Sequence, residues 1–398
     1  MRKEILLFFA LGIIFSWSSC EKLIPESPSE DELLDGPIEG LSFSEQSQFL
    51  AGDIAFNDEI FTAQNGLGPL FVATSCGSCH IGDGKGHPFT TLIRFGQTEP
   101  GALPDVSIGA PQLQNRAIPG HQPETLPDSL PHTRFTPPAV TGLGLLAALT
   151  DQQILNNADP DDLDKDGISG VPQYVNPPDY FKPQWHHQSK NGRYLGRFGK
   201  KAAAIDLLQQ TVTAYNQDMG VTSTFEPVDV ASGLTIDPEV TDQTVRDVVF
   251  YLRTLKAPIQ RSPDDAQVMQ GRDIFHSIEC HSCHIPQWTT PQSDISALSN
   301  QTFFPYTDLL LHDMGPELDD KVTEGSAETF EWRTPPLWGL GLSPDSQGRE
   351  YFLLHDGRAR SIEEAILLHG GEAKKSRDQF EALSAMEKST LLTFLESL

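Results

Sequence analysis

Two copies of one short motif constrain this chain more than any other feature. Cys76-Gly77-Ser78-Cys79-His80 and Cys280-His281-Ser282-Cys283-His284 both read Cys-x-x-Cys-His. At that spacing two thiols reach the vinyl groups along one porphyrin edge, and the adjacent imidazole turns under the iron. A chain built on this motif uses haem as part of its core. The competing readings fit less well. A structural zinc site needs four converging Cys or His ligands, a thioredoxin-type motif needs a βαβ setting and no histidine, and two disulfides are the remaining use of four thiols in an exported chain. We therefore expect two covalently bound haem c groups, one on Cys76, Cys79 and His80 and one on Cys280, Cys283 and His284. The fifth and last cysteine is Cys20.

That cysteine belongs to an address at the amino terminus. Arg2 and Lys3 precede an apolar run over residues 5 to 17, and Ser18-Ser19-Cys20 follows as a small-residue cleavage site. The run is short for a bilayer core of about 30 Å, so residues 1–19 read as an export signal that is removed. Its ending on Cys20 resembles a bacterial lipoprotein signal, in which the cysteine becomes the lipidated first residue; ordinary secretion is the other reading. Residues 20–40 are acidic, contain proline and lack apolar periodicity, which describes a flexible tether. The expected location is a bacterial membrane, held by the lipid anchor and facing the periplasm or cell surface.

The remainder divides into two similar halves. A chain of 398 residues exceeds one ordinary domain. RFTPPAVTGLGLL at 134–146 recurs as RTPPLWGLGL at 333–342, with Arg134 and Arg333 in equivalent places. Asp58-Glu59-Ile60-Phe61 precedes the first motif and Asp273-Ile274-Phe275 the second, each on a helix-like stretch. Each half closes on an amphipathic helix, with Val245, Val248, Val249 and Leu252 in one and Leu391, Phe394, Leu395 and Leu398 in the other, all at i, i+3, i+4, i+7. Strand signals are sparse. The expected fold is mainly α, with two cytochrome c-like haem domains at 41–258 and 259–398 and long loop insertions in the first. Charge narrows the partners: 28 basic against 55 acidic residues give a net charge of −27, which repels nucleic acid and suits encounters with a basic redox partner, such as a cytochrome or other electron donor.

The tracts FFPYTDLLLHDMGPELDD (303–320), EWRTPPLWGLGL (331–342) and LLHDGRARSIEEAILLHGGEA (353–373), with PPAVTGLGLLAAL, DPDDLDKDGISG and GRFGKKA before them, resemble the bacterial di-haem oxidoreductase family, the predicted thiol oxidoreductases. That family is more distantly similar to di-haem cytochrome c peroxidases, in which a carboxy-terminal haem collects electrons and an amino-terminal haem reduces hydrogen peroxide. The resemblance implies a peroxidase-like oxidoreductase with that division of labour; the alternative is a non-catalytic di-haem electron-transfer cytochrome.

Axial ligands decide between catalyst and wire, because two strong protein ligands favour electron transfer and an open position admits peroxide. By resemblance His369, in LLHGGEA, stands where the peroxidases carry a methionine, which implies His284/His369 coordination. Met314 is the second candidate, with His355 and His312 behind it. Opposite His80, His121 and Glu124 are candidates for the distal acid or base that peroxide cleavage needs, and Met219 is an available ligand. Arg134 and Arg333 are candidates to pair with haem propionates.

One further site is independent of haem. Asp162-x-Asp164-x-Asp166-Gly167-Ile168 matches the first half of an EF-hand loop, in which alternate carboxylates and a backbone carbonyl surround Ca²⁺. The twelfth position is Gln173 where Glu is expected, so the alternatives are a weak structural calcium site and a plain acidic turn.

Replacing Cys76 and Cys79 together by Ala is expected to remove one covalent haem and leave the other, read by intact mass and a haem-stained gel. Retention of both would refute the attachment.

Overall fold

The computed structural model describes residues 29–95, 111–127 and 130–398; the export signal and Cys20 lie outside the described residues. The described residues fall into two units, 29–33 and 34–398. In the first, the described residues contribute one 3₁₀ turn, Glu30–Glu32. In the second, helix predominates at 33% against 12% strand for the chain, in keeping with the mainly α expectation. No helix among the described residues is long and apolar enough to cross a membrane.

Six helices of nine or more residues frame the second unit: α1 Phe43–Asp53, α2 Leu207–Met219, α3 Asp242–Thr254, α4 Ala266–Ser277, α5 Lys374–Ala382 and α6 Ala385–Ser397. Side-chain caps start most of them. Ser42 with Glu45 and Ser384 with Glu387 form capping boxes on α1 and α6, and Thr241 and Asp265 cap α3 and α4.

The duplication legible in the sequence is physical. The helix ahead of each Cys-x-x-Cys-His segment crosses the helix that closes its half, and a glycine permits the approach. A Cβ on Gly52 of α1 would stand 2.1 Å from the Asp247 carbonyl oxygen of α3, and one on Gly271 of α4 would stand 2.3 Å from the Thr390 oxygen of α6. The repeated Gly-Leu-Gly then grips the end of each closing helix. Gly142, at φ +70°, donates its N–H to Leu255, and Gly339, at φ +69°, donates to Leu398. A Cβ on Gly144 or Gly341 would fall 1.7 or 1.9 Å from the carbonyl oxygen of Arg253 or Glu396. Only a residue without a side chain fits such spaces.

Aromatic rings fill each crossing. Phe56 packs 5.5 Å from Tyr251 and 5.8 Å from His80; Phe275 packs 5.5 Å from Phe394 and 6.4 Å from His284. Of the expected core faces, Val245, Val248 and Leu252 on α3, and Leu391, Phe394 and Leu395 on α6 with Leu398 just after it, are buried. One expectation fails in detail: Asp58 ends a π turn over Ile54–Asp58, closed by the Glu59 N–H to the Ile54 oxygen, so Glu59 to Phe61 lie beyond the helix. Within the turn the Asn57 side chain is tied to Asp53 and to the Tyr251 hydroxyl. Asp273 to Phe275 are helical, within α4.

Residues 34–398 share one large core. Phe49, Leu145 and Tyr251 pack in the same cluster as Trp288, Leu309 and Trp338, while smaller cores belong to one half each, around Phe61 and Tyr215 and around Phe275 and Phe394. Strands are short antiparallel ribbons that serve as braces. Arg134 pairs with Ile93 in the ribbon of 92–95 and 132–135, and Arg333 pairs with Leu311 in that of 311–313 and 331–333.

Gly271→Ala and Gly144→Ala are each expected to cost about 1–3 kcal/mol or more by overpacking a backbone contact, measured by denaturant unfolding. Unchanged stability would mean that the crossings are looser than described.

Candidate haem sites

Both Cys-x-x-Cys-His segments are tight turns whose histidine is fixed by the backbone. In the first, the N–H groups of Cys79 and His80 both donate to the Cys76 carbonyl, and Gly77 donates to Phe56. His80 Nδ1 donates to the Pro138 carbonyl at 2.9 Å. In the second, His284 N–H donates to Cys280, and its Nδ1 donates to the Tyr306 carbonyl at 3.0 Å. A carbonyl can only accept, so each ring carries its proton on Nδ1 and leaves the Nε2 lone pair for iron. Burial pushes both imidazoles down to about 4, which keeps them neutral. Burial likewise pushes Cys76 and Cys280 up to about 12. All four thiols are unpaired.

The second site has two more imidazoles near His284, those of His369 and His312, whose charges it feels. His369 is held as His284 is, with Nδ1 2.7 Å from the Ala365 carbonyl; burial lowers its pKa, and its charge is felt by His284. Met314 instead packs with Phe135, Leu318 and Trp332. The two reserve candidates are committed elsewhere. His312 has Nε2 2.8 Å from Asp308 and Nδ1 2.6 Å from Glu372, so both nitrogens donate and neither is free to ligate. Burial alone would lower its pKa, yet Asp308 and then Cys283 raise it well above the usual value. This imidazolium lies 3.6 Å from the Cys283 sulfur. His355 donates from Nε2 to Asp320 at 2.6 Å and stacks flat on Trp332, with centroids 3.6 Å apart.

The first site has a polar neighbourhood that the sequence did not reveal. Asp218 is pushed up to about 6 by burial and is felt by both Cys76 and Cys79. It accepts from Gln112 Nε2 at 2.7 Å. Gln114, also fully buried, donates to the Gln217 carbonyl at 2.8 Å, and Arg94 donates to the Gln217 side chain at 2.9 Å. Glu124 joins this network: its carboxylate accepts the Gln114 N–H at 2.7 Å, and burial raises its pKa. His121 is exposed on the loop three residues earlier. The buried Oε1 atoms of Gln112 and Gln114, Oε2 of Glu59, Nε of Arg94 and the Tyr215 hydroxyl have no partner among the described residues. Orphaned polar atoms this numerous are costly in a closed core, and their grouping around the first motif fits a site shaped for a polar cofactor and substrate. Met219 is buried beside Phe71 and Tyr215 in the apolar cluster against which Cys76 packs.

The remaining predicted residues separate. Arg134 is exposed on its strand, whereas Arg333 is half-buried, with Nε on the Gly199 carbonyl at 2.8 Å and Nη1 on that of Thr334 at 3.0 Å. In the acidic loop the carboxylates that converge, within 4.8 Å of one another, are those of Asp159, Asp162 and Asp164. Asp166 lies outside this set and accepts the Ile168 N–H at 2.8 Å, and Gln173 is turned away to Ser326 and Ala327. The loop is instead tied to the His369 segment, since Glu372 accepts the N–H and hydroxyl of Ser169.

His369→Ala is expected to change the spin or ligand state of one haem in the absorption spectrum; an unchanged spectrum would transfer the ligand role to Met314.

A family model described as "Di-haem oxidoreductase, putative peroxidase" matches residues 128–398. Among solved structures the chain is similar to a hydrazine synthase of Kuenenia stuttgartiensis, at 14% identity over 94% of each chain with a TM-score of 0.41. It is also similar to a MauG-like protein associated with microbial copper homeostasis, at 14% identity over 94% of each chain with a TM-score of 0.42. No curated protein matches it.

Proposed function

Because the chain belongs to the di-haem oxidoreductase family, we propose that it is a peroxidase-type enzyme that takes electrons in at the His284 side and delivers them to a peroxide at the His80 side. The overall reaction joins one hydrogen peroxide, two electrons from a redox protein and two protons to give two waters. Bound haem supplies one-electron chemistry at iron and, where an axial position is open, a place for peroxide. The protein supplies the rest.

The observation that carries this reading is the asymmetry between the two sites. At the second, His284 and His369 both present Nε2 from backbone-anchored rings, an arrangement suited to two strong ligands and electron transfer. At the first, one anchored histidine, His80, belongs to a motif whose cysteines feel Asp218, part of a group of buried amides and carboxylates with unpartnered atoms. Glu124, with a pKa raised by burial, would accept and return a proton as the distal carboxylate. Gln114, tied to Glu124 through its backbone, would orient the polar substrate. The alternative, a non-catalytic electron-transfer cytochrome, draws on Met219, which is buried in the cluster that receives Cys76 and would close the first site as a ligand.

The reading extends to the whole chain. Cys76 and Cys79, and Cys280 and Cys283, would hold the two haems by thioethers. Cys20 would carry the lipid that anchors the protein outside the cytoplasm, and residues 41–258 and 259–398 would be the two haem domains. The carboxylates of Asp159, Asp162 and Asp164 would take Ca²⁺, and the acidic surface would meet a basic electron donor.

Glu124→Gln is expected to lower peroxide turnover by about 10²–10⁴-fold, the usual worth of a general acid or base, with haem content unchanged. Turnover at the wild-type rate would remove Glu124 from the reaction.

A further inference from the structure

Three cations meet between the two haem motifs without an anion to neutralise them. Lys85 lies five residues beyond His80, and its carbonyl accepts the Ser346 hydroxyl at 2.8 Å. Lys200 and Arg333 are joined through the backbone, the Arg333 N–H donating to the Lys200 carbonyl at 3.0 Å. Each side chain is half-buried. Lys200 feels both Lys85 and Arg333 as like charges, and His80 feels Lys200. On the other side, Arg333 feels Asp308, whose charge also reaches Cys283.

The nearest carboxylates are already spent. Asp356 attracts Lys85 and Lys200 but accepts from Arg358 Nε at 2.7 Å. Asp308 attracts Arg333 but is bonded to His312 at 2.8 Å. Among the described residues none of the three cations forms an ion pair, and Arg333 uses Nε and Nη1 on carbonyls. Burial accordingly pulls Lys85 down to about 8, Arg333 to about 10 and Lys200 well below its usual value. Recessed like charges on three separate segments are unfavourable unless an anion is due to arrive. Haem carries two carboxylates on the edge of the ring opposite its vinyl groups, and Lys and Arg are suited to bind them.

We propose that Lys85, Lys200 and Arg333 form a cradle for haem propionates between the two motifs. The cradle uses the family's two haems and is independent of the peroxidase reading. Lys85 and Lys200 take the role that sequence equivalence would give to Arg134, which stands on the surface. With the cations in place the propionate charge is neutralised; removing one exposes the ferric iron to that charge and favours the oxidised state.

The test measures the midpoint potential of each haem in the holoprotein, together with the propionate bending bands in resonance Raman spectra. Lys200→Met and Arg333→Met are expected to lower the reduced-to-oxidised ratio of at least one haem about tenfold at a fixed potential, equivalent to 59 mV for one electron, and to move a propionate band. Lys200→Arg should restore both, and Arg134→Met should move neither. The Cys76/Cys79→Ala protein identifies the donor of the propionate: loss of the shifting signal assigns it to the first haem, and persistence assigns it to the second. If Lys200→Met does not fold, Lys85→Met and Lys200→Arg carry the same comparison. Potentials and bands that stay put in both Met variants, or that move no more than in Arg134→Met, overturn the cradle. Loss of peroxide turnover alone would leave it standing.

Discussion

The structure depends on two hydrogen bonds, from His80 Nδ1 to the Pro138 carbonyl and from His284 Nδ1 to the Tyr306 carbonyl. Each fixes a tautomer, aims Nε2 and makes the imidazole a better ligand than a freely rotating ring. Their acceptors are themselves held in place. Gly86 donates to Pro137 and Thr136 donates to His355 on one side of Pro138, and Val140 donates to Asp83 on the other. The Tyr306 ring packs between Phe275 and Phe394. The glycine-mediated helix crossings, the aromatic wedges and the Gly-Leu-Gly grips on the closing helices hold these two carbonyls where the histidines need them.

From this shared frame the halves diverge by what surrounds the imidazole. The second is bounded by His369 and by a charged network in which His312 joins Asp308 to Glu372, so that the segment after His369 is tied both to the acidic loop through Ser169 and to the neighbourhood of Cys283. The first opens onto buried amides around Asp218 and Glu124. The two are also braced against each other. Thr136, two residues before Pro138, bonds the His355 carbonyl, His355 stacks on Trp332, and Trp332 pairs across a ribbon with His312 beside Cys283. Asp320 locks this brace by accepting from Thr133, His355 and Arg358; burial opposes its ionisation, but these partners outweigh it and hold its carboxyl down at about 2.

Much of this was legible in the sequence because it rests on spacing. The Cys-x-x-Cys-His turns, the closing helices and the repeated Thr-Pro-Pro with Gly-Leu-Gly are local patterns, and the structure shows them as tight turns, helices and glycine grips. What was not legible depends on burial that no local pattern encodes. Gln112 and Gln114 look like ordinary surface glutamines, with only their alternation in Pro-Gln-Leu-Gln to place both on one face, yet both are fully buried. Arg134 and Arg333 occupy the same place in the repeat, but only Arg333 is recessed, because Gly199 and Lys200 pack over its strand. His312 carried the right atoms for a ligand and lost that role to two carboxylates, Asp308 four residues before it and Glu372 from a distant segment. The acidic loop matched an EF-hand only in part, since Asp159 and not Asp166 joins Asp162 and Asp164, and Gln173 is held by Ser326 and Ala327.

The central claim is that one iron is closed by His284 and His369 while the other, on His80, keeps a position for substrate. Low-temperature electron paramagnetic resonance of the holoprotein, oxidised and then reduced by one electron, tests it most directly. The account predicts a high-spin ferric signal, present at once or after half-reduction, that is lost on adding hydrogen peroxide, beside a low-spin signal from the second haem. Two low-spin signals that no redox state or peroxide changes would contradict it.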